Sequence, residues 1–146
     1  MPFATESPRP TPAVSCALLR EGRLLMVRRR NPPNAGRLAL PGGRVEAGEP
    51  LAAAAERELL EETGVQGSSL GPFTAIDVID RDEAGRLRFH YVLVVMEMRW
   101  SSGEPVADDA LDACWMDLAA LKAAREEVCS TALAVACRLL GAGNQR

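Results

Sequence analysis

A cluster of carboxylates lies at the end of the most distinctive segment of the chain, residues 43–65. If residues 50–63 form a helix, Glu58, Glu61 and Glu62 are three and four positions apart and share one arc of about 100°. Like charges at these spacings destabilise an isolated helix by ~0.2–0.5 kcal/mol per pair unless a cation neutralises them. The cluster therefore predicts a site for a divalent metal ion.

The ligand chemistry of this segment favours a hard ion. Carboxylate oxygens with no His or Cys nearby prefer Mg²⁺ first, and Mn²⁺ or Ca²⁺ next, over zinc or copper. Mg²⁺ keeps several of its waters and is usually shared between a few carboxylates and the phosphates of a substrate. We therefore expect a phosphorylated substrate and a Mg²⁺ cofactor, for which Mn²⁺ can substitute.

Local signals predict the helix that must carry these carboxylates. Pro50 suits the first turn, residues 51–60 are rich in strong helix formers, and Gly64 lies where a C-terminal cap is expected. An adjoining stripe of Leu and Ala residues can pack against a sheet. The acidic face would then lie beside packed structure.

The spacing of the whole segment is more specific than its acidity. Its fixed positions are, in order, Gly43, Glu49, Arg57, Glu58, Glu61, Glu62, Gly64 and Val65. This pattern resembles a complete Nudix box, the signature of hydrolases that act on a nucleoside diphosphate linked to another moiety. The resemblance implies an α/β fold, namely the family's α/β/α sandwich with a central mixed β-sheet and two main helices.

The resemblance also implies the metal ligands. Glu58 and Glu62 would be the principal ligands, and Glu61 would be a further ligand or the base that deprotonates water. A backbone carbonyl from the turn formed by Gly42 and Gly43 would complete the metal site.

Other residues are expected to support the ligands or to contact the substrate. By the resemblance, Arg57 and Glu49 would hold the ligand carboxylates in position, with Arg57 counted among the catalytic residues. Glu49 also belongs, with Arg28 and Arg44, to the predicted substrate-binding set. For the two arginines the reason is charge, because positive charge concentrated ahead of the acidic helix could grip phosphate. A solvated strand explains the arginine run at residues 28–30 equally well.

A second acidic segment precedes Trp115. Residues 103–109, GEPVADD, resemble the loop in which many Nudix enzymes carry an additional acidic residue that binds metal or activates water. Asp109 is the predicted residue, with Glu104 and Asp108 as alternatives. An ordinary solvated turn is the competing interpretation.

Segments outside the box bear on the substrate. Residues 76–95 and 103–121 resemble bacterial members grouped with ADP-ribose pyrophosphatases, which implies cleavage of ADP-ribose to AMP and ribose 5-phosphate. Two alternatives stay open: hydrolysis of nucleoside triphosphates with release of pyrophosphate, and a sensor that binds a nucleotide without cleaving it. Four ring side chains could wall a base, although core packing is the stronger expectation for each. They are Phe73, His90, Tyr91 and Trp115.

The composition is that of one globular domain. With 146 residues, 47% of them hydrophobic, the chain can bury a real core. We expect a flexible N-terminal arm at residues 1–12, a single Nudix domain at 13–140 and a C-terminal tail at 141–146. The net charge of −3 gives no attraction to nucleic acid or acidic lipid, so the expected partner is a small nucleotide, with a homodimer left open.

The remaining sequence predicts a strand-rich order around the acidic helix. A second packed helix is expected at residues 128–140, and the unbroken apolar run 92–96 suggests a strand covered on both faces. Four cysteines without metal-site spacing are expected to be buried free thiols, and no secretory or membrane segment is seen, which predicts a cytoplasmic location. Strands are predicted at residues 13–19, 24–30, 73–79, 87–98 and 114–116.

Overall fold

The computed structural model describes residues 8–31, 34–105 and 113–141. Its elements are, in chain order, β1 (Thr11–Arg20), β2 (Arg23–Arg28), β3 (Leu38–Ala39), β4 (Gly42–Arg44), α1 (Leu51–Thr63), β5 (Gln66–Arg81), β6 (Leu87–Ser102), β7 (Cys114–Met116), α2 (Leu118–Ala123) and α3 (Ser130–Gly141).

The strands of the described ranges form one mixed sheet of seven strands. Its hydrogen-bonded path is β3-β2-β1-β6-β5, with β4 paired to β1 and β7 paired to β2. β1 and β6 run parallel, with Val14 opposite Val94, whereas β1 and β2 form an antiparallel hairpin. The central strand β1 therefore connects the segment that precedes α1 to the long β5-β6 hairpin.

The two longer helices cover opposite faces of this sheet. Val14, Cys16 and Leu18 pack in one core with the buried face of α1, whereas Ala17 belongs to a second core with α3. Side chains alternate between faces along a strand. A strand buried on both faces should be largely apolar, as the middle of β1 is apart from Ser15. The predicted α/β sandwich is confirmed.

The helix α1 has the limits that its sequence predicts. It begins at Leu51, directly after Pro50, and ends at Thr63. Gly64 follows with φ 77°, in the left-handed region that glycine adopts without strain, and its N–H donates to the Leu60 carbonyl.

The strand β5 is longer than predicted. It begins at Gln66 rather than at Phe73, and its pairing with β6 shifts register around Gly71 and Pro72. Glycine and proline normally interrupt a strand, but bulges accommodate them here at the edge of the sheet. The two long strands form a hairpin that extends beyond β1.

One further prediction needs correction. The run in β6 is covered on both faces at Val95 and Met96, but Val92 is 38% exposed.

A short helix, α2, follows β7 and begins at Leu118. Its N-terminus is capped by the Asp117 side chain, which accepts a hydrogen bond of 2.8 Å from the Ala120 N–H.

All four cysteines are free thiols, as predicted. Cys16 and Cys129 are buried, but Cys114 and Cys137 are exposed, so the expectation of burial is wrong for those two. Among the helices of the described ranges, none has the length and apolar character needed to span a membrane.

Candidate active site

The acidic face of α1 lines a cavity of about 810 Å³. Glu58, Glu61 and Glu62 all line it, beside the backbone of Gly42 and Gly43. The helical spacing therefore places the three carboxylates together in a cavity, as expected from the sequence, rather than in open solvent.

Glu62 is partly buried and bonds the glycine turn. Its Oε2 accepts a hydrogen bond of 2.9 Å from the Gly42 N–H. Burial raises the pKa of the Glu62 carboxyl above its usual range; the Gly42 hydrogen bond opposes this rise, and the charge of Glu58 adds to it. A second negative charge is therefore unfavourable at this end of the cavity unless a cation compensates it.

Glu58 lies directly against the backbone of Gly43. A Cβ atom on residue 43 would come within 2.6 Å of Glu58 Oε1. Real Cβ contacts are longer than this, so only glycine leaves the carboxylate where it is. This contact is a physical reason for glycine at the first position of the box.

Arg57 links three of the glutamates. Its guanidinium makes two hydrogen bonds to Glu49, of 2.6 and 2.8 Å, and one of 2.8 Å to Glu58 Oε1. A longer bond of 3.2 Å reaches Glu61, and Nη2 donates to the Arg44 carbonyl at 3.1 Å. Hydrogen bonds from Arg57 lower the pKa of Glu49 to about 2. Arg57 is thus placed to orient Glu58 while Glu49 anchors it.

The donor set fits a hard divalent cation. It consists of carboxylate oxygens and a neighbouring backbone turn, and it holds like charges that a cation would neutralise. Within the part of the chain that the structure describes, no three Asp, Glu, His or Cys side chains already converge as a metal cage. Arg57 holds Glu58, and the Gly42 N–H holds Glu62, beside the cavity.

Three arginines also line the cavity, namely Arg29, Arg30 and Arg44. The predicted residue Arg28 instead donates to the Gly36 carbonyl at 2.7 Å and lies 3.5 Å from a carboxylate oxygen of Glu127.

The end of β2 explains the difference between these arginines. That strand ends at Arg28, so strand alternation does not govern Arg29 and Arg30, and both reach the cavity. Glu49, the other predicted substrate contact, bonds Arg57 and is not among the side chains that line the cavity.

The cavity also has an apolar wall. It is formed by residues of β5, β6 and α3, which the sequence did not single out: Ile76, Val78, Leu93, Val95, Ala132 and Val135. These side chains are distant in sequence and meet only through sheet pairing and helix packing. Charged and apolar side chains therefore line the same cavity.

The four ring side chains have different surroundings. Tyr91 lines the cavity. Phe73 and Trp115 pack on the two cores, as expected, and His90 lies 3.0 Å from the Asp77 carboxylate. Among these four rings, Tyr91 is the one that the structure brings to the site.

The second acidic segment is described only in part. Asp109 and Asp108 lie outside the described residues. Glu104 is described, and its Oε2 accepts a hydrogen bond of 2.6 Å from Arg20. Glu104 does not line the cavity.

Comparison with known proteins identifies the family. Residues 9–133 match the model of the NUDIX domain, so the chain belongs to the NUDIX hydrolase family. The resemblance drawn from the box is thereby confirmed.

Two curated relatives are named for different substrates. An ADP-ribose pyrophosphatase of Methanocaldococcus jannaschii is 37% identical over 113 residues, which cover 75% of this chain and 63% of that protein. The chain thus spans less than two thirds of that relative. A putative 8-oxo-dGTP diphosphatase 2 of Mycobacterium tuberculosis is 37% identical over 110 residues, or 74% of each protein.

A solved structure supports the fold. The crystal structure of a MutT NUDIX hydrolase from Burkholderia pseudomallei superposes with a TM-score of 0.67 at 31% identity. The match covers 83% of this chain and 99% of that one.

Proposed function

We propose that this chain is a Mg²⁺-dependent pyrophosphohydrolase that cleaves a nucleoside diphosphate linked to another moiety. The substrate we favour is ADP-ribose, hydrolysed to AMP and ribose 5-phosphate. One observation supports the proposal most: a single cavity is lined by three carboxylates, three arginines and an apolar wall. A nucleotide likewise combines charged phosphates with a base that can pack on apolar side chains.

The acidic face of α1 would supply the metal ligands. Glu58 and Glu62, with the backbone at Gly43, would hold Mg²⁺, and Glu61 would be either a further ligand or the base; the ion would neutralise phosphate oxygens and make bound water more acidic. Arg57 keeps Glu58 oriented through its 2.8 Å hydrogen bond. Loss of a residue that supports a metal ligand in this way commonly weakens metal affinity ~10–100-fold.

The chain's own residues would then carry out the remaining steps. Arg29, Arg30 and Arg44 would bind the diphosphate, and the apolar wall would exclude water from one side of the substrate. Water attacks one phosphorus, the bond from that phosphorus to the bridging oxygen breaks, and the other phosphate leaves with the bridging oxygen. Glu61, whose side chain is 61% exposed, is the candidate to accept the proton from water, with Asp109 as the alternative.

A second candidate function is hydrolysis of nucleoside triphosphates with release of pyrophosphate. The name of the mycobacterial relative favours it, and its identity to this chain equals that of the archaeal relative. On either proposal the catalytic unit is residues 13–140, the partner is a small nucleotide in the cytoplasm, and no nucleic acid or membrane takes part.

Product identification tests these proposals. The purified protein should be incubated with Mg²⁺ and about twenty phosphorylated metabolites, including ADP-ribose and 8-oxo-dGTP, and the products separated by ion-exchange chromatography. AMP with ribose 5-phosphate supports the first proposal, whereas a nucleoside monophosphate with pyrophosphate supports the second. No turnover of any compound would contradict both and would favour the sensor.

A further inference from the structure

Arg44 and Tyr91 form a pair in the wall of the cavity. Arg44 Nη2 donates to the Tyr91 hydroxyl at 3.3 Å, and the guanidinium carbon lies 5.9 Å from the centre of the ring. Both residues line the cavity. The ring of Phe89 packs against Tyr91 with 5.4 Å between centroids. The tyrosine is therefore supported on one side and contacts the arginine on the other.

Strand pairing explains how the two side chains meet. Arg44 lies opposite Ala13 of β1, and Tyr91 lies opposite Thr11 of the same strand. Thr11 and Ala13 are two residues apart and face the same side of the sheet, so Arg44 and Tyr91 do as well. Because Ala13 carries only a methyl group, the arginine side chain can cross β1 to reach the tyrosine.

Arg44 is also restrained at its backbone. Its carbonyl accepts a hydrogen bond of 3.1 Å from Arg57, the residue that orients Glu58. The main chain of Arg44 is thus hydrogen-bonded to α1, while its guanidinium is hydrogen-bonded to the β5-β6 hairpin, which carries part of the apolar wall. These two hydrogen bonds restrain the position of one positive charge relative to the acidic helix and to the apolar wall.

We propose that Tyr91 is a positioning residue that holds Arg44 over the phosphate of a nucleotide whose base lies on the apolar wall. A long arginine side chain loses rotamer freedom when it grips a ligand. A neighbour that already restrains it reduces that loss and strengthens binding. The inference rests on the proposed function, because it takes the ligand to be a nucleotide in this cavity.

A double-mutant cycle tests the pair. Binding of AMP, dGMP and adenosine would be measured by calorimetry, in Mg²⁺, for Arg44→Ala, Tyr91→Phe and the double variant. Loss of a charge-assisted contact should weaken monophosphate binding about tenfold for Arg44→Ala, and loss of the hydroxyl about threefold for Tyr91→Phe. Tyr91→Phe should have no further effect once Arg44 is absent. Adenosine, which lacks phosphate, should bind all four proteins equally.

Controls separate positioning from a general structural role. Arg23→Ala removes an exposed arginine at the start of β2 and should leave binding unchanged. Additive effects of the two variants, a comparable loss of adenosine binding in Tyr91→Phe, or no binding of either monophosphate to the unmodified protein would overturn the inference.

The same experiment distinguishes failure of the inference from failure of the proposed function. Coupling between Arg44 and Tyr91 in monophosphate binding, without turnover of any compound in the metabolite panel, would leave the inference standing and overturn the function. Turnover without coupling would do the reverse.

Discussion

Replacing Gly43 by alanine should remove activity while leaving the protein folded. Neither Gly42 nor Gly43 has a positive φ, so alanine can adopt the backbone conformation at both positions. At position 43 the new methyl group would come within 2.6 Å of Glu58 Oε1, where ordinary contact begins at 3.4 Å. The Glu58 carboxylate must therefore move by about 1 Å, and a misplacement of ~1 Å can lower the rate ~100-fold.

The adjacent glycine provides a matched control. A Cβ on residue 42 would overlap the Val14 carbonyl oxygen and lie 3.0 Å from the Ser15 Cα. Backbone cannot rotate away as a side chain can, so Gly42→Ala should disturb the β1-β4 pairing. We expect a loss of about 1–3 kcal/mol in the free energy of unfolding, or roughly 3–10 °C in Tm.

Steady-state kinetics and thermal denaturation of both variants make the comparison. The kinetics would use whichever nucleotide the unmodified protein hydrolyses. Gly43→Ala should lower kcat about 100-fold with Tm nearly unchanged, whereas Gly42→Ala should lower Tm. The reasoning is refuted if Gly43→Ala keeps kcat within about twofold, or if its Tm falls as far as that of Gly42→Ala.

Three further variants test the charges around the site. Burial raises the folded-state pKa of Glu62, so the unmodified protein loses stability as the pH rises through that pKa. Glu62→Gln should remove this pH dependence, raise Tm without metal by about 1–2 °C and lower kcat by orders of magnitude. A lower Tm for Glu62→Gln would contradict this prediction. Glu49 has a folded-state pKa of about 2, so its contribution to stability is present above its usual pKa and is lost as the pH falls toward 2. In urea unfolding between pH 2 and 7, Glu49→Gln should therefore weaken the loss of stability at low pH. An unchanged pH profile would contradict a stabilising role for the pair of Glu49 and Arg57. Arg57→Ala should weaken Mg²⁺ affinity ~10–100-fold in metal titrations of activity, and an unchanged affinity would show that Glu58 does not depend on it.

Local sequence was sufficient to predict α1 and its acidic face. The limits of the helix follow from Pro50 and Gly64, and the common face of the carboxylates follows from helical spacing. The bidentate contact between Arg57 and Glu49 was not predicted, because it depends on how the loop before α1 folds back. The family resemblance implied only that both residues hold the ligand carboxylates.

The rest of the cavity depends on tertiary structure. Its apolar wall combines β5, β6 and α3, and no local pattern relates Ile76 to Val135. Which arginines reach the cavity depends on the residue at which β2 ends. The strand was predicted to end at residue 30 rather than at Arg28, so Arg29 was left out of the predicted site. Tyr91 lies in an apolar run that resembles core, and only the pairing of β6 with β1 shows that it faces Arg44.

Metal binding by the acidic face of α1 tests the central claim most directly. Mn²⁺ binding should be followed by electron paramagnetic resonance in the unmodified protein, in Glu58→Gln and in the matched control Glu56→Gln. Glu56 lies on the same helix but accepts a hydrogen bond from the Ser69 N–H at 3.0 Å and does not line the cavity. We predict that the unmodified protein and Glu56→Gln bind Mn²⁺ equally, and that Glu58→Gln binds it at least about tenfold more weakly. Equal binding by all three proteins, or none by the unmodified protein, would contradict the account.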